Sequence, residues 1–311
     1  MKSFSLVTLL TFLMSGVFGQ EVTPIQTLLS PGAGFIALTG YHGAIQTSLQ
    51  YRNQWPGIPS TFVNYDLTVD AYLPSVRSGI GLALSHDRTG SGQSQINGAQ
   101  LNLSHRYLIK KASLLGGLSY QYSSLRLDWQ CFYCNIPPIY PMNTGGIPVA
   151  STLPGHRLQS SVGVFVSDFL FLYQVGYSTR MSPFKDEPNY ERVTHSAYAA
   201  YRFALSTDVD ITPSANFRRD SFLPDDHFNA LTLACNARYK FLQAGALYRW
   251  GDAAGVQMGA ILANRCLISY SYDITVSSLG TQTLGSHELG LRLTLNKNKA
   301  KDVLVENLWA L

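Results

Sequence analysis

The chain has 311 residues, of which 46% are hydrophobic and only 14% are charged, and its formal net charge is +4. Soluble domains contain about 25% charged residues, so this composition does not favour an ordinary soluble domain. The sequence has no basic run or stripe, which argues against a nucleic-acid-binding protein.

Residues 1–19 have the pattern of a secretory signal peptide. Lys2 supplies the positive charge, Phe4 to Phe18 form the apolar region, and Val17-Phe18-Gly19 provides a cleavage site before Gln20. A transmembrane anchor is the alternative, but the apolar run is short and is interrupted by serine and threonine. We therefore predict an exported protein.

Segments of alternating hydrophobicity follow one another up to residue 295. In one of them, Ile268, Tyr270, Tyr272 and Ile274 share a face, and period-two alternation is typical of half-buried strands. We predict about 14 strands, at residues 43–52, 61–73, 79–86, 96–108, 112–127, 156–167, 169–179, 191–206, 209–220, 227–240, 241–251, 255–262, 265–275 and 287–295.

The predicted connections alternate between very short turns and longer loops, and only the link at 251–254 breaks this pattern. Outer-membrane barrels have an even number of strands, short periplasmic turns and longer extracellular loops. After the signal peptide, no stretch is long and apolar enough for a membrane-spanning helix. A soluble β-sandwich or solenoid is the alternative, but it does not require this asymmetry. The sequence therefore predicts an all-β transmembrane antiparallel β-barrel with both termini in the periplasm.

The domain organisation follows from these segments. We predict a signal peptide at 1–19, an N-terminal periplasmic or plug segment at 20–40, the outer-membrane β-barrel at 41–295 and a periplasmic C-terminal tail at 296–311. The longest predicted loop, 128–155, is rich in proline and is expected at the mouth of the barrel.

Four cysteines raise the question of disulfide or metal chemistry. Cys131 and Cys134 have a spacing that also suits zinc, but a single pair is a weak zinc signal. In an exported loop a local disulfide is favoured. Cys235 and Cys266 are predicted to face lipid on strands about three apart, which is too far for a bond.

Alternation also separates the two faces of the wall. Leu101 and Leu103 are predicted to face lipid, while Asn102 is predicted to face the lumen. Tyrosine and tryptophan favour the headgroup depth of a membrane. We predict Tyr107, Phe203 and Tyr239 near the short-turn rim and Tyr51, Trp250 and Tyr272 near the long-loop rim.

Charged residues are predicted inside the barrel near the long-loop rim. They are Arg52, Arg249, Asp273 and Glu288. Arg52 lies on the first strand and Glu288 on the last, so closure makes them neighbours. One hypothesis is that this network fixes the seam between the first and last strands and, with Asn53, Trp55 and Asp252, contacts a partner at the mouth. The alternative is a purely structural network, because barrel interiors are normally polar.

An outer-membrane hydrolase is the enzymatic alternative. It requires serine and histidine side chains on one face and within hydrogen-bonding distance. The pairs Ser85-His86, Ser104-His105 and Ser286-His287 are adjacent in sequence, and adjacent strand residues point to opposite faces. We therefore predict no enzyme, cofactor or metal site, and we expect the histidines at membrane interfaces or in the lumen.

Several segments together resemble the PorP/SprF family of outer-membrane proteins of Bacteroidota. They are Tyr51-Arg52-Asn53-Gln54-Trp55-Pro56-Gly57, Asp70-Ala71-Tyr72-Leu73-Pro74, Gly79 to Leu84 with Asp87 and Gly90, Tyr248 to Gly259, Ser269 to Asp273, Ser277 to Gly280 and Gly285 to Glu288. The resemblance extends over residues 41–295. The segment at Leu29 to Gly32 matches the family only loosely.

The resemblance implies a barrel of the fatty-acid-channel type that serves type IX protein secretion and gliding motility. It implies a non-enzymatic outer-membrane component that binds, helps export or anchors a secreted surface protein. The implied partners are outer-membrane lipid, a secreted adhesin or another type IX substrate C-terminal domain, and a periplasmic peptidoglycan-binding linker or motor-complex protein. The alternative function is a diffusion channel for small hydrophobic or polar solutes.

Overall fold

The computed structural model describes residues 34–57, 62–90, 94–128, 150–181, 189–222, 226–276 and 285–295. The predicted signal peptide, the predicted C-terminal tail, Cys131 and Cys134 lie outside these ranges. The 3-10 turns are η1 (Ile36–Leu38) and η2 (Pro74–Val76). The strands are β1 (Ile45–Gln54), β2 (Phe62–Leu73), β3 (Ser78–Thr89), β4 (Ser94–Ile109), β5 (Ala112–Asp128), β6 (Ala150–Val166), β7 (Phe169–Arg180), β8 (Tyr190–Tyr201), β9 (Phe203–Ala204), β10 (Val209–Phe222), β11 (Asp226–Tyr239), β12 (Leu242–Arg249), β13 (Ala253–Leu262), β14 (Cys266–Thr275) and β15 (Ser286–Leu295).

These strands form one closed antiparallel barrel, because β15 pairs with β1. The wall contains 14 strands, since β8 and β9 are two parts of one strand. Both pair with β10 in the same register, in which Ala200 lies opposite Ser214 and Phe203 opposite Ile211. The break at Arg202 follows Tyr201, which this register places opposite Pro213, and proline has no backbone N–H to donate to a ladder. The predicted fold class and strand number are confirmed.

The predicted strand boundaries agree with the structure within three residues, except at the start of β6. The sequence placed this start at residue 156, whereas the strand begins at Ala150 and contains Pro154. The carbonyl oxygen of Pro154 accepts a hydrogen bond from the Met181 N–H, at 3.2 Å. In an antiparallel strand, the N–H and C=O of one residue point toward the same neighbouring strand. The N–H that proline lacks would therefore also point toward Met181, which lies just beyond the end of β7. The ladder to β5 loses no bond, and the prediction of a loop here was wrong.

Short turns connect alternate strands on one rim of the barrel. Between β6 and β7, Ser167 and Asp168 have φ angles of 47° and 69°. Two successive positive φ angles define the type I′ turn, whose twist matches that of the flanking strands. The predicted break at Asp168 is therefore a hairpin turn. No helix within the described ranges is long and apolar enough to cross a bilayer.

The two faces of the wall differ in polarity as predicted. Leu101 and Leu103 are each 49% exposed on the outer face, whereas Asn102 between them is fully buried in the interior. Tyr107 and Tyr239 lie exposed on the outer face near the short-turn rim. Cys235 and Cys266 are free cysteines on this outer face.

The interior also contains an apolar cluster at the short-turn end. Residues 34–44 run inside the barrel before β1 begins, and we call them the inner segment. Phe35, Leu38 and Tyr41 of this segment are buried. They belong to one cluster with inward-facing wall residues, which are Leu115, Phe165, Leu170, Leu172, Tyr198 and Ala200.

Candidate functional site: a buried ionic network at the barrel mouth

Arg52 joins the first strand of the barrel to the last two strands. It lies directly opposite Glu288 of β15. Its Nη1 is 3.1 Å from Glu288 Oε2, and its Nη2 is 3.1 Å from Asp273 Oδ2 of β14. The three side chains are no more than 3% exposed. The closure of the barrel therefore assembles a buried network of one guanidinium and two carboxylates.

Glutamines add hydrogen bonds to this network. Gln50 Nε2 donates to Glu288, and Arg52 Nη2 donates to Gln54 Oε1 at 3.4 Å. All three β1 residues face the lumen because they alternate along the strand. Polar partners are needed here, since a buried charge without compensating hydrogen bonds is strongly unfavourable.

Trp55 lies next to this network at the extracellular end of β1. Its indole Nε1 donates to Thr275 Oγ1 at 3.0 Å, and its backbone N–H donates to Gly285 O at 2.9 Å. Its ring packs edge-on against Phe62. Trp55 has a φ of 58°, which is unusual for a bulky residue. Such a conformation persists only where surrounding contacts hold it, so the strands on both sides of the closure fix Trp55.

The other predicted site residues have different positions. Arg249 is buried, and its Nη1 is 2.7 Å from Asp252 Oδ2 in the turn after β12. Asp252 is partly exposed at the mouth. Asn53 alternates with the inward residues of β1 and therefore lies on the outer face, opposite His287. The structure thus joins Arg52, Asp273 and Glu288 directly and separates Asn53 from them.

The inner segment is held to the wall by polar contacts as well as by the apolar cluster. The Ile36 N–H donates to Gln174 Oε1 at 3.1 Å, and the Gly40 N–H donates to Asp70 Oδ1 at 3.0 Å. Arg106 Nη2 donates to the carbonyl oxygen of Tyr41 at 3.2 Å. Burial raises the pKa of the Tyr41 hydroxyl above its usual range, so this side chain stays neutral. The segment therefore occupies the lumen at its periplasmic end.

Gly117 allows the inner segment to approach the wall closely. A Cβ atom at this position would lie 2.6 Å from the backbone nitrogen of Ala37. The neighbouring Gly116 has no atom within 4 Å of such a Cβ. Gly117 faces the lumen and Gly116 faces outward, so the same substitution at both positions compares an inward with an outward site.

We expect Gly117→Ala to destabilise the barrel by about 1–3 kcal/mol through overpacking, whereas Gly116→Ala leaves its stability nearly unchanged. The measurement is the free energy of unfolding in urea for the two refolded variants in the same detergent. Equal effects of the two substitutions would contradict the close packing of residues 36 and 37 against β5.

Sequence reasoning did not identify the wall residues that hold this segment. Leu170 and Leu172 face inward, although barrel interiors are normally polar. The sequence did contain a signal of this inward apolar surface. Residues 162–177 are apolar on both faces of the predicted strands, apart from the turn and a few polar residues. A strand that is apolar on both faces is buried on both faces, and this pattern predicts an occupied lumen.

The adjacent serine and histidine of β4 lie on opposite faces of the wall. Ser104 faces the lumen and donates to Thr39 O at 2.7 Å, while His105 faces outward. His105 Nδ1 instead lies 3.0 Å from Ser78 Oγ of the next strand. Ser78 Oγ also lies 3.0 Å from Val76 O. Within the described ranges, no group of three acidic, histidine or cysteine residues could hold a metal ion.

Comparisons with solved structures give barrels at low sequence identity. A Pseudomonas aeruginosa FadL homologue is 11% identical, with 82% of this chain and 90% of that chain covered and a TM-score of 0.49. The Acinetobacter baumannii outer membrane protein Omp33 is 11% identical, with coverages of 82% and 100% and a TM-score of 0.46. The Pseudomonas putida toluene transporter TodX is 11% identical, with coverages of 91% and 95% and a TM-score of 0.46.

Among curated proteins, none matches the chain. A family model, described as type IX secretion system membrane protein PorP/SprF, matches residues 37–293. This range extends from the inner segment through most of β15 and includes Arg52, Asp273 and Glu288. The resemblance inferred from the sequence is confirmed: the chain belongs to the PorP/SprF family of type IX secretion system membrane proteins and is an outer-membrane barrel.

Proposed function

We propose that this barrel binds a secreted surface protein at its extracellular mouth and anchors it or helps to export it. The partner is an adhesin or another type IX substrate, bound through its C-terminal domain. A periplasmic peptidoglycan-binding linker or motor-complex protein is the proposed partner on the short-turn rim. Membership of a type IX secretion family supports a role in protein export.

The observation that carries this proposal is the inner segment in the periplasmic end of the lumen. Its buried apolar residues pack against β5, β6, β7 and β8. A lumen occupied in this way disfavours a diffusion channel and favours a component that acts by binding. At the other end, the partly exposed Asp252 presents a carboxylate at the mouth, where a partner domain can form hydrogen bonds.

The proposal is tested by purifying the tagged full-length protein from native outer membrane in mild detergent and identifying the chains that accompany it. We expect a large exported protein with the wild type and at least a fivefold loss of it with Asp252→Lys, since charge reversal at an interface costs roughly 1 kcal/mol or more. Asp208→Lys, which changes an exposed residue on the opposite rim, is the matched control and should retain the exported protein.

Two outcomes would count against the proposal. One is recovery of the wild-type barrel alone together with solute flux in reconstituted vesicles, which would favour the diffusion channel. The other is equal retention of the exported protein by Asp252→Lys and the wild type. Folding of each variant is checked by the mobility shift on heating that closed barrels show in gels.

A further inference from the structure

Three tyrosine–histidine pairs repeat on the outer face of the barrel. The tyrosine hydroxyl and the histidine Nδ1 are 2.7 Å apart in Tyr120–His156, 2.8 Å in Tyr173–His195 and 2.7 Å in Tyr270–His287. In each pair the tyrosine lies two residues before the residue that is directly opposite the histidine. The same diagonal arrangement thus occurs on three separate hairpins.

The histidines of these pairs lie in the extracellular halves of their strands. His287 is the second residue of β15, and His195 lies in the first half of β8, which descends from the same rim. His156 likewise lies in the extracellular half of β6. Outer-membrane barrels carry their aromatic girdles where the apolar band meets the headgroups. The three histidines therefore face the outer leaflet.

One of the pairs has a cation beside it. Arg219 of β10 lies directly opposite His195 and is exposed on the same outer face. Tyr173, His195 and Arg219 thus stand on three adjacent strands, and we call them the outer triad. The acidic neighbour on this face is Glu191, which interacts with Tyr177. The outer triad therefore presents hydrogen-bond donors and a permanent positive charge toward the headgroup layer.

The donor arrangement of the outer triad suits a phosphate. When Tyr173 donates its hydroxyl proton to Nδ1 of a neutral His195, the imidazole carries its own proton on Nε2, which can then donate outward. The guanidinium of Arg219 adds a planar fork that matches phosphate geometry. We propose that the outer triad binds a phosphate group of an outer-leaflet glycolipid and thereby fixes the barrel to the lipid around β7, β8 and β10.

The test uses native mass spectrometry of the full-length barrel in detergent, with diphosphoryl lipid A as the probe and the same lipid without its phosphates as the comparison. We expect the wild type to prefer the phosphorylated lipid. His195→Phe combined with Arg219→Gln should weaken its binding about tenfold, because both substitutions remove charge-assisted hydrogen bonds to the phosphate.

The matched control is His105→Phe combined with Arg265→Gln, which makes the same changes at the periplasmic rim. This variant should bind the phosphorylated lipid as the wild type does. The proposal is overturned by equal binding of the two lipids to the wild type, by unchanged binding to the outer-triad variant or by an equal loss in the control. The result is independent of the secreted partner, because the probe and the purified barrel are the only components.

Discussion

Replacing Arg52 with methionine should lower the free energy of unfolding by about 3–5 kcal/mol, the usual result of removing one partner from a buried ionic network. The substitution leaves Asp273 and Glu288 close together, buried and without their guanidinium. Two neighbouring carboxylates repel each other and lack water to solvate them. The measurement is urea unfolding of the refolded barrel, followed by tryptophan fluorescence.

The matched control is Arg238→Met, which removes another inward-facing arginine from an ionic network. Arg238 pairs with Asp210, but Arg202 Nη2 also lies 3.4 Å from Asp210 Oδ2. Asp210 therefore keeps a cation, and we expect a smaller loss of stability than for Arg52→Met. Glu288→Gln should also cost less, because Arg52 and Asp273 remain as a neutral pair. A loss as large for Arg238→Met as for Arg52→Met would contradict this reasoning.

The network does not contribute to stability simply because it contains ion pairs. A buried ion pair often stabilises a protein no better than apolar residues of similar volume. The geometry of the network does distinguish the observed register of β1 and β15 from other registers, because only the observed one places Arg52 opposite Glu288. A slip by one residue would turn Arg52 toward lipid, where a charge is strongly unfavourable. We therefore expect the network to favour the observed register of the closing strands.

The sequence predicted this part of the molecule because strand alternation is a local property. The inward direction of Arg52 and Glu288 follows from their neighbours along each strand, and their proximity follows from an even strand count. Pro154 could not be assigned correctly from local sequence alone. A proline predicts a loop unless the hydrogen-bond partner of its carbonyl group is known. The strand break near Arg202 has a similar origin, because its cause, Pro213, lies on the next strand.

The occupied lumen could be predicted only in part. A periplasmic or plug segment was expected at residues 20–40 from their position before the first strand. The apolar run around Asp168 was a further indication of an occupied lumen. The contacts of the inner segment join residues far apart in sequence, such as Ile36 and Gln174. Neither composition nor periodicity determines such pairings. The diagonal tyrosine–histidine pairs were equally inaccessible, since their geometry depends on the register between strands.

Replacing Leu38 with aspartate should release the inner segment from the lumen. Leu38 is only 3% exposed and lies in the apolar cluster with Phe165 and Leu172. An unpaired carboxylate there costs about 3 kcal/mol, which corresponds to roughly a hundredfold shift toward a displaced segment. The strand ladder does not depend on this residue, so the barrel itself should stay closed. We expect stepwise conductance in planar bilayers that exceeds that of the wild type.

Limited proteolysis provides the second measurement, because a displaced segment becomes accessible to protease in detergent-solubilised barrels. Leu205→Asp is the control, since Leu205 is 63% exposed in the periplasmic turn before β10 and the same substitution there buries no charge. Conductance and proteolysis equal to the wild type in Leu38→Asp would show that residues 34–44 do not close the lumen. The proposed anchoring function predicts the opposite result, because that proposal is argued from a lumen occupied by the inner segment.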